Sequence, residues 1–177
     1  MSWLERWGWR GAESKQIPVE EVRALGVRIG EGCRVYAGVD FGSEPYLVTI
    51  GDHVTLALGV QFATHDGGVW VFRKEFPDID VFAPVRVGSN VFIGANAILL
   101  PGAEIGDDCV IGAGAVVTRR IPPRSVAAGV PARVIRTLDD YRAKVLERAV
   151  HIRGKPPEEK RRILCEQFGL PSNGGGA

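Results

Sequence analysis

Three histidines, at positions 53, 65 and 151, carry the imidazoles through which this chain could move protons near neutrality. An unperturbed imidazole titrates at about 6.5, closer to neutrality than the other side chains. His65 stands apart for its surroundings. It closes the run Phe62-Ala63-Thr64-His65 and is followed by Trp70, Phe72, Phe76 and Phe82 with Asp78 and Asp80. Aromatic faces and carboxylates beside an imidazole form a combination that grips sugar rings and their hydroxyls, so Trp70, Asp78 and Asp80 are candidate substrate-binding residues. His53 reads as a surface residue, and His151 follows a helical segment whose last carbonyls it can meet. Cys33, Cys109 and Cys165 read as reduced, structural thiols, and no Ser-His-Asp arrangement or phosphate-cradling glycine motif is present.

The elements that must position these groups are legible as a repeat. From Val87 to Pro122 the chain divides into six-residue units opening at Val87, Ile93, Leu99, Ile105, Ile111 and Val117. The same frame runs upstream through Ile29, Val35 and Phe41, slips by three residues, and resumes at Ile50, Leu56 and Phe62. All these opening residues are apolar. The second position is often glycine (Gly30, Gly42, Gly51, Gly88, Gly94, Gly106, Gly112), which predicts a turn conformation that a side chain disfavours. Fifth positions are small or apolar throughout except at Asp66, which breaks the pattern. Helical periodicity is absent, so the repeat predicts short strands joined by tight turns, with first and fifth residues pointing into a narrow core and fourth residues, His65 among them, facing outward.

The hexads, above all VGSNVFIGANAILLPGAEIGDDCVIGAGAVVTRRIPPRSVAAGVPARVI, resemble those of the hexapeptide-repeat acyltransferases, in particular the galactoside, maltose and polysaccharide O-acetyltransferases. The resemblance covers roughly residues 29 to 136 and implies a mainly β fold, a left-handed parallel β-helix with three strands per coil. It also implies a homotrimer and acetyl-coenzyme A as co-substrate. By resemblance His65 is the general base that deprotonates an acceptor hydroxyl. Ala95 and Ala113 match positions along the pantetheine arm, and Thr118, Arg119, Arg133 and Arg136 match the nucleotide end. Where relatives often have Lys and Asp after the VVT motif this chain has Arg119 and Arg120, which keeps a charge but alters donor geometry. The acceptor is expected to be a sugar-like small molecule. An N-acetyltransferase of an amino sugar, a xenobiotic (antibiotic) acetyltransferase and a catalytically silent scaffold stay open. A γ-carbonic-anhydrase-like zinc enzyme would need converging imidazoles, and the chain offers no obvious set, so no metal is expected.

The remaining segments surround the repeat. Residues 1–28 are expected to form an N-terminal cap with a short helix over Ile17–Gly26, residues 29–136 the repeat domain, and 137–170 two helices over Leu138–Val150 and Pro157–Phe168. Residues 171–177 are expected to be a disordered tail. Residues 68–86 are expected to leave the repeat as an arm reaching a neighbouring subunit, because the segment is too apolar for a loose surface loop. Residues 119–162 hold thirteen Lys or Arg against five Asp or Glu in a chain of net charge +1, which suits an anionic ligand at Arg119, Arg133 and Arg136 and a solvated charged surface for the helices, and nucleic acid is not expected. No membrane span or signal-peptide run is recognisable, and a cytoplasmic location is expected.

Overall fold

The structure is a computed structural model that describes residues 16–171. The expectations for the part of the cap before residue 16, and for the tail from Ser172, lie outside the described residues. Contacts divide the chain into two units, one up to Arg142 and one from Ala143.

The first unit is mainly β, and its strands are short because a turn interrupts the chain every few residues. In chain order they are β1 (Gln16–Ile17), β2 (Arg28–Ile29), β3 (Arg34–Tyr36), β4 (Val48–Ile50), β5 (Thr55–Leu56), β6 (Gln61–Phe62) and β7 (Val85–Val87). Then come β8 (Phe92–Ile93), β9 (Ile98–Leu99), β10 (Glu104–Ile105), β11 (Val110–Ile111), β12 (Val116–Val117), β13 (Ser125–Ala128) and β14 (Arg133–Thr137). From β2 to β13 the chain visits three sheets in rotation. Strands β2, β4, β7 and β10 pair in one sheet; β3, β5, β8, β11 and β13 in a second; β6, β9 and β12 in a third. All these neighbours are parallel.

Register places the hexad-opening residues on top of one another. Ile29, Ile50, Val87, Ile105 and Ile121 form one column. Val35, Leu56, Ile93, Ile111 and Ala127 form a second. Phe62, Leu99 and Val117 form the third, with Phe41 stacked on Phe62 at 5.2 Å between ring centroids. Every member is buried, so alternation along each strand sends one side chain into a shared core and the next outward. Fully burying such a side chain stabilises by about 1.5–3 kcal/mol. Most fifth-position residues, from Val54 through Cys109 to Ile121, complete that core, while Cys33 and Val39 are half-buried against it.

The glycine pattern has a different cause from the one the sequence predicts. Of the second-position glycines only Gly42 has a positive φ. At Gly30 and Gly51 a Cβ would lie 2.8 Å from the carbonyl carbon of the glycine in the next circuit, and at Gly88 2.8 Å from the Asp107 nitrogen. Close approach of backbones, not backbone conformation, excludes a side chain. The left-handed turn residue sits at the fourth position instead, as Gly32, Gly38, Gly59, Gly102 and Gly114 and as the non-glycines His53, Asn90, Asn96 and Asp108. Asn, Asp and His are the side chains that tolerate this conformation best.

The ends of the rotation are covered. β1 pairs antiparallel with β3, so Ile17 belongs to a strand and not to the helix expected over Ile17–Gly26. Helix α1 (Val19–Ala24) buries Val22 completely, and the Arg23 guanidinium donates to the carbonyls of Ile29 (3.2 and 3.1 Å) and Gly30 (3.2 Å). At the other end β13 and β14 form an antiparallel hairpin with a bulge between Val126 and Ala127. The following α2 (Leu138–Arg148) is capped by Thr137, whose hydroxyl accepts from the Asp140 amide at 3.1 Å. In the second unit, α3 (Pro157–Phe168) ends at Gly169 in the left-handed conformation, as Gly at that position favours. No helix among the described residues is long and apolar enough to cross a membrane.

Two irregularities interrupt the rotation, and both bear on His65. The three-residue slip before Ile50 is a 3₁₀ turn over Pro45–Leu47, with Glu44 at its start. The excursion after β6 opens with a 3₁₀ segment over Gly67–Phe72 and ends as β7 begins at the fully buried Val85, slightly before the boundary expected at residue 86.

Candidate functional site

His65 lies three residues beyond the last residue of β6, where the chain leaves the third sheet. The excursion's two ends are pinned together there. The Asp66 amide donates to the Val81 carbonyl and the Ala83 amide to the Thr64 carbonyl, both at 2.9 Å, and His65 faces Phe82 as an antiparallel bridge. The Phe82 ring meets the imidazole edge-on at 6.1 Å between centroids. The base of the arm therefore holds the histidine backbone on a rigid element, while its side chain stays 47% exposed.

Glu44 orients the ring. Its Oε2 lies 3.1 Å from His65 Nδ1 and accepts a 2.8 Å bond from the hydroxyl of Thr64, a fully buried residue. The Ser43 hydroxyl is also 3.4 Å from Nδ1. The Ser43 hydrogen bond, followed by those from Thr64 and His65, holds the Glu44 carboxyl below the usual glutamate range against an opposing effect of burial. An ionised carboxylate only accepts, so Nδ1 carries the proton and the neutral ring keeps its lone pair on Nε2. A buried hydroxyl fixing a carboxylate that fixes an imidazole is an arrangement that can take a proton and stabilise the resulting cation.

Sequence reasoning missed Glu44, although a signal was present. Glu44 and His65 are both fourth residues of their hexads, and those hexads open with the stacked pair Phe41 and Phe62. Counting back three hexads and the slip from His65 lands on Glu44.

The other candidates divide among different places. In the excursion Trp70 is 75% exposed and lines, with Val71, Arg73 and Lys74, an open depression of about 600 Å³. Asp80 is paired with Arg73, so its carboxylate is engaged within the arm, and Asp78 is exposed. Ala95 and Ala113 lie together at the turn from the second sheet to the third, where the Gly114 amide donates to the Ala95 carbonyl at 2.8 Å. Their own amides have no backbone acceptor among the described residues, whereas the Gly94 amide is engaged by the Ile111 carbonyl at 2.8 Å. Thr118 and Arg119 follow β12 and are exposed. Arg133 and Arg136 stand on β14, Arg133 opposite Ala128 and Arg136 opposite Val126. Within one chain His65 leaves the third sheet at one end of its strands, and Ala95 and Ala113 enter it at the other. A single chain does not gather all of these residues.

Among the described residues no group of three or more His, Cys, Asp or Glu side chains could hold a metal ion. The three cysteines are free. Burial pushes the Cys33 and Cys109 thiols up, and Cys109 donates to the Pro122 carbonyl at 3.2 Å. Neither is placed as a nucleophile.

A family model for the "Hexapeptide repeat of succinyl-transferase" matches residues 84–119. The chain is 46% identical over 157 residues to Protein CapG of Staphylococcus aureus, covering 87% of this chain and 91% of that one. It is 44% identical over 118 residues to galactoside O-acetyltransferase of Escherichia coli strain K12, covering 66% of this chain but only 58% of that protein. Among solved structures it resembles a maltose O-acetyltransferase from Clostridium difficile 630, with a TM-score of 0.50, 31% identity and coverage of 76% and 82% of the two chains. It also resembles a galactoside acetyltransferase in complex with coenzyme A, with a TM-score of 0.51, 32% identity and coverage of 74% and 76%.

Proposed function

Because this chain belongs to the hexapeptide-repeat acetyltransferases, we propose that it moves an acetyl group from acetyl-coenzyme A to a hydroxyl of a sugar or sugar-like acceptor, with His65 as the general base. The observation that carries this reading is the His65–Glu44–Thr64 arrangement at the foot of the arm, with Nδ1 held at 3.1 Å from a carboxylate and Nε2 left to accept.

A sugar hydroxyl is too weak an acid to attack a thioester unaided near neutrality. In the proposed step Nε2 takes the hydroxyl proton as the oxygen attacks the thioester carbonyl, and Glu44 stabilises the imidazolium that forms. The negative charge that develops on the carbonyl oxygen needs a hydrogen-bond donor. The Gly94 amide is engaged within the fold, so the amide of Ala95 fits that role better. When the carbon–sulfur bond breaks, the imidazolium returns its proton to the departing thiolate. Direct attack is favoured over an acyl-enzyme because Cys33 and Cys109 are directed into the fold.

The free amide of Ala113 suits a carbonyl of the pantetheine arm, with the Ala95 amide beside it at the thioester end, and exposed Thr118, Arg119 and Arg133 suit the nucleotide phosphates, with Arg136, half-buried, a further candidate. The rotation through three parallel sheets supports a parallel β-helix, left-handed as the family resemblance implies, divided from its caps and helices near residues 28 and 136. A homotrimer would set one chain's His65 against its neighbour's Ala95 and Ala113, and the exposed Trp70, Phe72 and Phe76 are an apolar surface of the kind such an assembly covers. A cytoplasmic location completes the reading. Free-thiol release from acetyl-coenzyme A, measured across mono- and oligosaccharides and their amino derivatives, tests the function. No release with any hydroxyl acceptor, or release only with amines, would overturn it.

A further inference from the structure

The second sheet carries a row of outward side chains in register, Arg34, Thr55, Phe92 and Val110, one per circuit. Beside it runs a row of fourth-position turn residues, His53, Asn90 and Asp108, with φ of 55°, 56° and 57°. The two rows line one cavity of about 250 Å³. Within one chain its lining does not include His65 or Glu44, and Arg34, His53 and Asp108 have none of the acetyl-transfer roles above.

Hydrogen bonding in the turn row has a determined direction. Asn90 Nδ2 donates to Asp108 Oδ1 at 2.6 Å, which leaves Asn90 Oδ1 facing His53 Nδ1 at 2.9 Å. A carboxylate only accepts, so the Asn90 amide cannot be reversed. An amide oxygen also only accepts, so His53 Nδ1 must be the donor. The neutral His53 ring therefore keeps Nε2 as an acceptor. The turn itself does not call for this residue, since asparagine meets the same left-handed requirement at Asn90 and Asn96.

We propose that this cavity is a second saccharide subsite, one that takes a sugar unit carrying a carboxylate. Phe92, 46% exposed, offers a ring face for a pyranose. His53 Nε2 and the remaining lone pairs of Asp108 accept from sugar hydroxyls. Arg34, which has no ion pair or side-chain hydrogen bond among the described residues, stands at the opposite end of the row from Asp108 and receives the carboxylate. Three strand spacings separate Arg34 from Val110, about 14 Å, so the cation and anion do not cancel across the site. This inference does not rest on acetyl transfer, and its readout is binding alone.

The test is solution NMR on the full chain at mildly alkaline pH. Long-range proton–nitrogen correlation of the His53 ring is expected to show a protonated Nδ1 and an unprotonated Nε2. Titration with D-glucuronate is expected to shift the His53 and Phe92 ring signals saturably, with D-glucose about tenfold weaker. Arg34→Gln is expected to bring glucuronate down to the glucose level. His53→Asn, which keeps a side chain suited to the turn, is expected to weaken glucuronate binding as read at Phe92. A protonated Nε2, the absence of saturable shifts at both rings, or equal binding of glucose and glucuronate would each overturn the proposal.

Discussion

Replacing His65 by alanine, alone and together with Glu44→Gln, tests the proposed chemistry most directly. General-base assistance is typically worth ~10²–10⁴ in rate. The imidazole is 47% exposed, so water can reach the vacated position and supply part of the lost function. The expected fall in kcat for His65→Ala is therefore in the lower part of that range, about 10²–10³, or about 2.7–4.1 kcal/mol of transition-state stabilisation at 1.36 kcal/mol per tenfold. Glu44→Gln leaves a group that can still meet the Thr64 hydroxyl but removes the charge 3.1 Å from Nδ1. Loss of the charge-assisted bond to the imidazolium should slow turnover on the order of tenfold. Glu44 acts through His65, so the two effects must not multiply: the double variant should turn over about as slowly as His65→Ala alone. The assay is free-thiol release under saturating acetyl-coenzyme A and acceptor, with KM for acetyl-coenzyme A expected to stay near the wild-type value in all three variants. A His65→Ala protein acting at near wild-type rate would refute the base assignment. A double variant a further tenfold slower than His65→Ala would refute the coupling.

Gly51→Ala should lower stability by about 1–3 kcal/mol in a denaturant titration, because its Cβ would be 2.8 Å from the Gly88 carbonyl carbon, whereas Gly32→Asn, at a left-handed position with room, should cost much less. Arg119→Ala and Arg133→Ala should each weaken coenzyme A binding in calorimetry, and added salt should weaken it in the parent protein; indifference to all three would return these residues to the solvated surface. Trp70→Ala should alter acceptor preference with coenzyme A affinity nearly unchanged, while Asp80→Ala should act by releasing Arg73 and loosening the arm, visible as faster proteolysis between residues 67 and 82. The Glu44 carboxyl titrates lower when folded, so the stability its ionisation contributes is fully present above the ordinary glutamate range and is lost as pH falls through its depressed folded value. The Tm difference between wild type and Glu44→Gln should narrow accordingly on acidification.

A period of six with an apolar residue at every opening position was sufficient, without any coordinates, to separate core from surface and to mark the places where the repeat stops. Local patterning determines this because each hexad meets the same environment as its neighbours, and the columns from Ile29 to Ile121 and from Phe62 to Val117 follow from that repetition. The end of α3 at Gly169 was legible for the same local reason. The reason for the second-position glycines was not, because identical residues serve a left-handed turn or a close backbone approach, and only the stacking distance between circuits tells them apart. The partner of His65 was likewise hidden. Glu44 is 21 residues away, in the hexad just before the slip, and its role exists only because the 3₁₀ turn at Pro45–Leu47 absorbs the slip and leaves two fourth positions stacked. The pairing of Asp80 with Arg73 and the direction of the His53–Asn90–Asp108 relay belong to the same class. Each depends on which side chains the turns bring within 3 Å or so of one another, and a hydrogen bond's length and direction are properties of the folded arrangement that residue types and spacings do not carry.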